Sequence, residues 1–290
     1  MKEYLKLMRP KHYLKNLLLF LPIVFSSNLF NLQELIKVCM AFIVFCLISS
    51  IVYIINDVND VENDRNHETK RNRPIASGKV SSTSALILAI VLFIISISLN
   101  LYIFEMKTNI VANSILAIYL LLNILYSFGL KDKPIIDIVI LVSGFLLRVL
   151  YGSTVIGVEI SNWLYLTVIA GSFYLGLGKR RNEIKKQGTD SRAVLKYYTH
   201  NFLDKNMYVC LALSIVFYSL WCVDANTIFR VQNNYLIWTV PAIMIIFMKY
   251  SLDIENDSYG DPVDVVTSDK VLLLLIVSYI IGLLAIIYIF

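Results

Sequence analysis

Aspartates recur through one short stretch of the 290-residue chain, Asn56-Asp57-Val58-Asn59-Asp60-Val61-Glu62-Asn63-Asp64-Arg65, which runs on through His67 and Lys70 to Arg71-Asn72-Arg73-Pro74. On a helix, Asn56, Asp60 and Asp64 fall at i, i+4 and i+8, and Asp57 sits beside them, so one face carries several carboxylates. Like charges that close repel and raise one another's pKa. A hard divalent cation removes the repulsion, and Mg²⁺ commonly takes one or two carboxylates together with substrate phosphate oxygens. Arg65, Lys70, Arg71 and Arg73 follow in the same loop, where they suit phosphates that a metal does not reach. A solvated interfacial loop is the plainer alternative. Acids in helical period followed by a basic run favour chemistry, with Asp57, Asp60 and Asp64 as candidate metal-holding and catalytic groups and Asn56 beside them.

Three further clusters carry charge in suggestive places. Tyr126-Ser127-Phe128-Gly129-Leu130-Lys131-Asp132-Lys133-Pro134 leads to Asp137. Pro134 suits a helix start and Asp137 the positive end of its dipole, so Asp137 is read either as a cap or as a metal or substrate ligand. Arg148 comes eleven residues later, on the same helix face and about 16 Å deeper. Charge at that depth must face a partner or a polar cavity, so an internal network and a ligand contact are equally open for Arg148. Gly178-Lys179-Arg180-Arg181-Asn182-Glu183 puts bases at a helix C-terminus, where the dipole favours them, and offers a second phosphate grip. Tyr259-Gly260-Asp261-Pro262-Val263-Asp264, with Asp269-Lys270, is an ordinary turn signal and the weakest of the four.

The elements that must position these groups are apolar helices. Hydrophobic residues make up 58% of the chain and charged residues 16%, against about 45–50% and about 25% in ordinary globular domains. Mean hydropathy is +0.69. This composition excludes a disordered chain and a disulfide-stapled domain, and a net charge of only +5 argues against nucleic acid as a partner. The expected fold is all-α: a polytopic membrane protein, read as one integral membrane domain over 1–290. Apolar runs near the ~20 residues that cross a bilayer occur at roughly 14–30, 36–55, 84–104, 108–128, 135–157, 162–178, 207–224, 234–251 and 271–290, about nine in all. All of the 26 basic residues but Lys37, Lys107, Arg230 and the intramembrane Arg148 lie on the N-terminal side of those spans. The positive-inside rule makes that side cytoplasmic, with loops at 56–83, 129–134, 179–206 and 252–270. All acids except Glu34, Glu105, Glu159 and Asp224 share it. Cys39, Cys46, Cys210 and Cys222 sit in apolar runs and read as small hydrophobes, and scattered His12, His67 and His200 suggest no zinc site.

With these pieces in place the chain resembles the UbiA superfamily of intramembrane prenyltransferases, in which about nine helices surround a central cavity and aspartate-rich motifs lie on cytoplasmic loops. Asn56-Asp57-x-x-Asp60-x-x-x-Asp64-Arg65, with Lys70 and Arg73-Pro74, is similar to that family's first motif. The usual second motif, D-x-x-x-D, is altered: four residues separate Asp132 from Asp137. Along nearly the full length the chain looks most like the polyprenyl-phosphate phosphoribosyltransferase branch. The stretches are Arg9-Pro10-Lys11 with Lys15-Asn16, the first motif through Gly78, Tyr126-Ser127 to Lys131, Asp137 to Arg148, Gly178 to Glu183, and Gly260-Asp261-Pro262. That resemblance implies transfer of a 5-phosphoribosyl group from 5-phosphoribosyl 1-diphosphate to a polyprenyl phosphate, with release of pyrophosphate and Mg²⁺ as cofactor. Asp57, Asp60 and Asp64 with Asn56 are then expected to hold Mg²⁺ on the donor diphosphate. Arg65, Lys70 and Arg73 are expected to anchor donor phosphates, and Lys131, Lys179 and Arg180 the 5-phosphate or lipid phosphate. Lys15, Tyr126, Asp137 and Arg148 complete the substrate-binding set. The implied partners are the two substrates and membrane lipids, in the plasma membrane with the site on its cytoplasmic face; a homo-oligomer is left open.

Two other readings compete. An aromatic prenyltransferase of the same fold would use a prenyl diphosphate and a 4-hydroxybenzoate-like acceptor, leaving the cations beyond one diphosphate in surplus. A membrane transporter would place its ligands near the bilayer midplane, whereas here the acids gather at one face.

Overall fold

A computed structural model describes residues 2–66, 70–103, 106–189, 192–256 and 261–290. His67, Tyr259, Gly260 and Glu105 lie outside the described residues. The main helices are α1 (Leu32–Asn59), α2 (Ser82–Ile103), α3 (Met106–Ser127), α4 (Ile136–Ile156), α5 (Asn162–Gln187), α6 (His200–Val223), α7 (Val240–Glu255) and α8 (Lys270–Tyr288). Among the described residues seven helical stretches are long and apolar enough to cross a membrane: α1, α2, Ile110–Ser127 of α3, α4, α6, Tyr235–Glu255 and α8.

Two expected spans are built differently. The stretch 14–30 is a 3₁₀ helix, Pro10–Phe20, followed by a short α-helix, Leu21–Phe25. Pro22 lacks an N–H and its ring opposes the carbonyl four residues back, which breaks a continuous α-helix there. The stretch 162–178 is helical, but the helix runs on to Gln187 through a charged end, so the loop expected at 179–206 begins only at Gly188. Likewise α1 continues to Asn59, inside the expected loop 56–83, and α7 to Glu255, inside 252–270.

The described chain forms two compact units. The first comprises Met1–Ile23, Asn31–Lys131 and Leu147–Val158. Its centre is α1, whose N-terminus is capped by the Asn31 side chain accepting from the N–H groups of Gln33 and Glu34. Helix α2 turns Ala85, Ala89, Leu92, Ser96 and Asn100 inward, at the i, i+4, i+7 spacing of one face. Its Ile87, Ile90 and Ile94 point outward. Small and polar residues inside with branched bulk outside is the pattern of a helix whose solvent is lipid, where close backbone approach rather than water exclusion drives packing.

The second unit comprises Val24–Phe30, Asp132–Leu146 and Glu159–Phe290. Here α5 packs along α6, and Tyr174, Leu177, Leu203, Met207, Tyr250 and Ile254 build its core with the start of α4. Helix α8 begins at Asp269, whose carboxylate accepts from the Leu272 N–H at 2.7 Å.

Candidate active site

In the first unit the aspartate run sits where α1 stops. Asp60 is both the C-cap of α1 and the N-cap of the short helix Val61–Arg65, and backbone bonds Asp60 N–H to Asn56 O (2.9 Å) and Asp64 N–H to Asp60 O (2.8 Å) carry the helical spacing through the junction. Two pairings result. Asp57 and Asp64, two turns apart and both buried, share the guanidinium of Arg73, whose Nη1 lies 3.0 and 2.6 Å from their oxygens. Asn56 and Asp60, one turn apart, bond side chain to side chain at 3.2 Å, and Lys131 Nζ reaches the other Asp60 oxygen at 2.5 Å. Arg9 adds a second cation to Asp57 at 2.5 Å and lies over the Tyr53 ring.

Helix α3 supports this arrangement. The Ser127 hydroxyl donates to Asn56 Oδ1 at 3.1 Å, and Asn59 Nδ2 donates to the Ser127 carbonyl at 2.8 Å, tying the C-terminal ends of α1 and α3 together. The turn that follows α3 delivers Lys131. Arg65, exposed, donates to the Ala76 carbonyl at 3.3 Å and so braces the loop rather than the carboxylates. Lys70 opens a 3₁₀ turn, Lys70–Asn72, and is half-buried, as are Tyr126 near the end of α3 and Lys15 on the Pro10–Phe20 segment.

Among the described residues no three His, Cys, Asp or Glu side chains form a ready-made metal cage. The three aspartates do not converge: Asp60 is held apart by Lys131, while Asp57 and Asp64 meet through one nitrogen of Arg73. A cationic point between two buried carboxylates is nonetheless a donor set that fits Mg²⁺, which completes its shell with phosphate oxygens and water.

Arg148 is buried in a network of its own within the first unit. Its Nε donates to Asn16 Oδ1 at 2.7 Å and its Nη2 to the Tyr119 hydroxyl at 3.1 Å, with the guanidinium 5.1 Å from the Phe45 ring. Nearby the Tyr151 hydroxyl donates to Asn100, which bonds Asn113. Of the two readings left open for Arg148, these contacts match the internal network.

In the second unit Asp137 lies in the first turn of α4, fully buried, and its two oxygens accept from Arg180 Nε at 2.7 Å and the Tyr198 hydroxyl at 2.6 Å. Tyr198 in turn accepts from the N–H of Ile135, a β-branched residue held at φ 69°. That conformation is costly for Ile and persists only because its surroundings fix it. Asp132, the other member of the altered second motif, is exposed. Successive bases on α5 point about 100° apart, so each finds its own acid: Lys179 meets Asp261 at 3.1 Å, Arg180 meets Asp137 and Glu183 (2.6 Å), and Arg181 meets Asp204. Burial pushes the Glu183 carboxyl up, but Arg180, Arg192 and Lys179 outweigh it and hold the group at about 2. Asp261 caps the helix Pro262–Ser268, accepting from Val263 N–H, so the turn signal there is also an ion-pair partner.

Residue-type reasoning missed Arg9, Tyr198 and Glu183 as members of these clusters. Arg9 stood in the Arg9-Pro10-Lys11 stretch with no acid assigned to it, Glu183 at the end of a basic run, and Tyr198 carries no local signal.

Comparison with known proteins agrees with this architecture. The profile of the UbiA prenyltransferase family matches residues 19–262. A decaprenyl-phosphate phosphoribosyltransferase of Corynebacterium glutamicum is 32% identical over 290 residues, covering 98% of this chain and 86% of its own length. One of the same name from Mycolicibacterium smegmatis is 33% identical, covering 95% and 89%. Among solved structures, a UbiA homolog from Archaeoglobus fulgidus bound to GPP and Mg²⁺ superposes with a TM-score of 0.71 at 17% identity, covering 98% of this chain and 99% of that one, a likeness of fold. Seven membrane-length helices among the described residues, the aspartate run on the end of α1 and a family match across most of the sequence lead to one conclusion: this integral membrane protein belongs to the UbiA prenyltransferase family.

Proposed function

We propose that the protein transfers the 5-phosphoribosyl group of 5-phosphoribosyl 1-diphosphate to a polyprenyl phosphate, releasing pyrophosphate. The observation that carries this reading is the cation-lined carboxylate cluster of the first unit: Asp57 and Asp64 on Arg73 and Arg9, and Asp60 on Lys131. Near-full-length similarity to proteins named decaprenyl-phosphate phosphoribosyltransferase supports it. So does the number of anionic groups to be held, since donor diphosphate, donor 5-phosphate and lipid phosphate together exceed what one carboxylate-metal site can neutralise.

Asp57 and Asp64 would hold the divalent cation, with Asp60 and Asn56 alongside. When bound, such an ion draws charge from the diphosphate as it departs. Arg73, Arg9 and Lys131, resting on carboxylates here, would turn to donor phosphates, and Arg65 and Lys70 border the same loop. In the reaction the C1–O bond of the ribose breaks with its electron pair leaving on pyrophosphate, and an oxygen of the lipid phosphate forms the new bond to C1. A phosphate monoester is ionised near neutral pH, so the acceptor needs no general base. Lys179, Arg180 and Asp137 belong to the candidate substrate set by resemblance, and within the second unit they form ion pairs of their own. Lys15 and Tyr126 belong to the candidate substrate set by resemblance. The concentration of basic residues on the N-terminal side supports a cytoplasmic-face site in the cell membrane.

Purified protein incubated with both substrates is expected to release pyrophosphate only when both and Mg²⁺ are present. Release with a prenyl diphosphate and a hydroxybenzoate instead would assign the aromatic reaction. The expected effect of Asp64→Asn is loss of at least ~100-fold in kcat/KM, equivalent to about 2.7 kcal/mol of transition-state stabilisation.

A further inference from the structure

The Pro10–Phe20 segment and α1 run side by side in opposite directions, and three polar contacts give their register. Arg9, at the N-cap of the segment, donates to Asp57 at 2.5 Å. Midway, the Tyr13 hydroxyl and Ser50 Oγ are 2.8 Å apart. Deepest, Asn16 Nδ2 donates to Cys46 Sγ at 3.1 Å and to Ser49 Oγ at 3.4 Å. A 3₁₀ helix rises about 2.0 Å per residue and an α-helix about 1.5 Å. The seven steps from Arg9 to Asn16 therefore cover about 14 Å, the length that α1 needs roughly nine steps to cover between Asp57 and the Cys46–Ser49 turn. Wound as an α-helix the segment would cover about 10.5 Å and fall about 3 Å short of that length.

The deep end is fixed by more than one contact. Asn16 is fully buried, and its Oδ1 accepts from Arg148 Nε at 2.7 Å while Arg148 also bonds Tyr119. One turn along α4, Gly152 lets the Leu19 backbone approach so closely that a Cβ would stand 2.2 Å from its carbonyl oxygen.

We propose that Asn16 and Arg148 are positioning residues: they peg the 3₁₀ segment to α1 and α4 at the one register in which Arg9 reaches Asp57. The peg acts on the site through Arg9 and touches no reacting atom.

A double-mutant cycle tests this, on solubilised full-length protein with Arg9→Gln, Asn16→Leu and the combination. Two quantities are read: Mn²⁺ affinity without substrate, and KM for 5-phosphoribosyl 1-diphosphate. Only the second rests on the transferase reading. Arg9→Gln removes a cation from Asp57 and should tighten Mn²⁺ binding by about three- to tenfold, in line with the loss of one partly buried charge pair. Asn16→Leu should tighten it by a similar factor, the combination no further, and the donor KM should rise in the same non-additive way. Asn16→Asp keeps the acceptor for Arg148 but loses the donor to Cys46 and Ser49, and should recover only part of the wild-type values. If Asn16→Leu does not fold, Asn16→Ser, too short to reach Arg148, replaces it. Multiplicative effects, or Mn²⁺ affinity unchanged or weakened while the melting temperature falls, would overturn the proposal in favour of a packing role. Absence of turnover in the wild type with the Mn²⁺ cycle intact would count against the transferase reading alone.

Discussion

Single side chains in both units are used twice, and that makes their removal informative. Tyr198 donates to Asp137 and accepts from the strained Ile135 N–H, so Tyr198→Phe strands an oxygen of the buried Asp137 and removes the acceptor of the Ile135 N–H. The expected loss is about 1–3 kcal/mol, read as a drop in melting temperature. Asp137→Ala removes one acid from the fully buried Arg180 and should cost about 3–5 kcal/mol. Glu183 gives a pH signature. Its carboxyl is held at about 2, below its ordinary 4.5, so its stabilisation is complete above about pH 4.5 and is lost as pH falls toward 2. Melting temperature should therefore fall more steeply over that window in the wild type than in Glu183→Gln. At this scale the sequence was partly legible. Helical spacing identified Asp57, Asp60 and Asp64 because carboxylates at turn intervals are a local pattern. It could not pair Asp57 with Asp64 rather than Asp60, because that choice is made by how the following loop folds back to bring Arg73 between them.

The elements were legible wherever apolar length decides them, and less so where backbone geometry does. Helices α1, α2, α3 and α4 match their apolar runs to within a few residues, since each must satisfy its backbone internally in lipid. For the 14–30 run hydrophobicity is blind to 3₁₀ winding, which gives way to an α-helix only at Leu21. The charged end of α5 was read as loop because polar residues signal solvent, although each finds an acid on a neighbouring element. Gly152→Ala should displace Leu19 and destabilise the first unit, whereas Gly282→Ala in α8, where nothing lies within 4 Å of an added Cβ, should be neutral or slightly stabilising. Thermal melts of the two variants beside the wild type make the comparison.

For the molecule as a whole, charge placement sets an orientation that labelling can check. An impermeant thiol reagent should modify Glu62→Cys only from the cytoplasmic side of sealed vesicles and Arg230→Cys only from the opposite side. Membrane class and family were legible because they follow from composition and from a long, specific motif. How the chain divides into compact units was not, since that depends on contacts remote in sequence. The resting carboxylate cluster has one more property that follows from its pairing. Among the described residues, ion pairs join three acids of the cluster, Asp57, Asp60 and Asp64, to three bases, Arg9, Arg73 and Lys131. A balanced cluster exerts little long-range pull on free magnesium, so the ion is best admitted already clasped to its diphosphate, as cargo whose own charges are largely cancelled. Turnover should then follow the concentration of the preformed magnesium-donor complex, and free metal beyond that should add little.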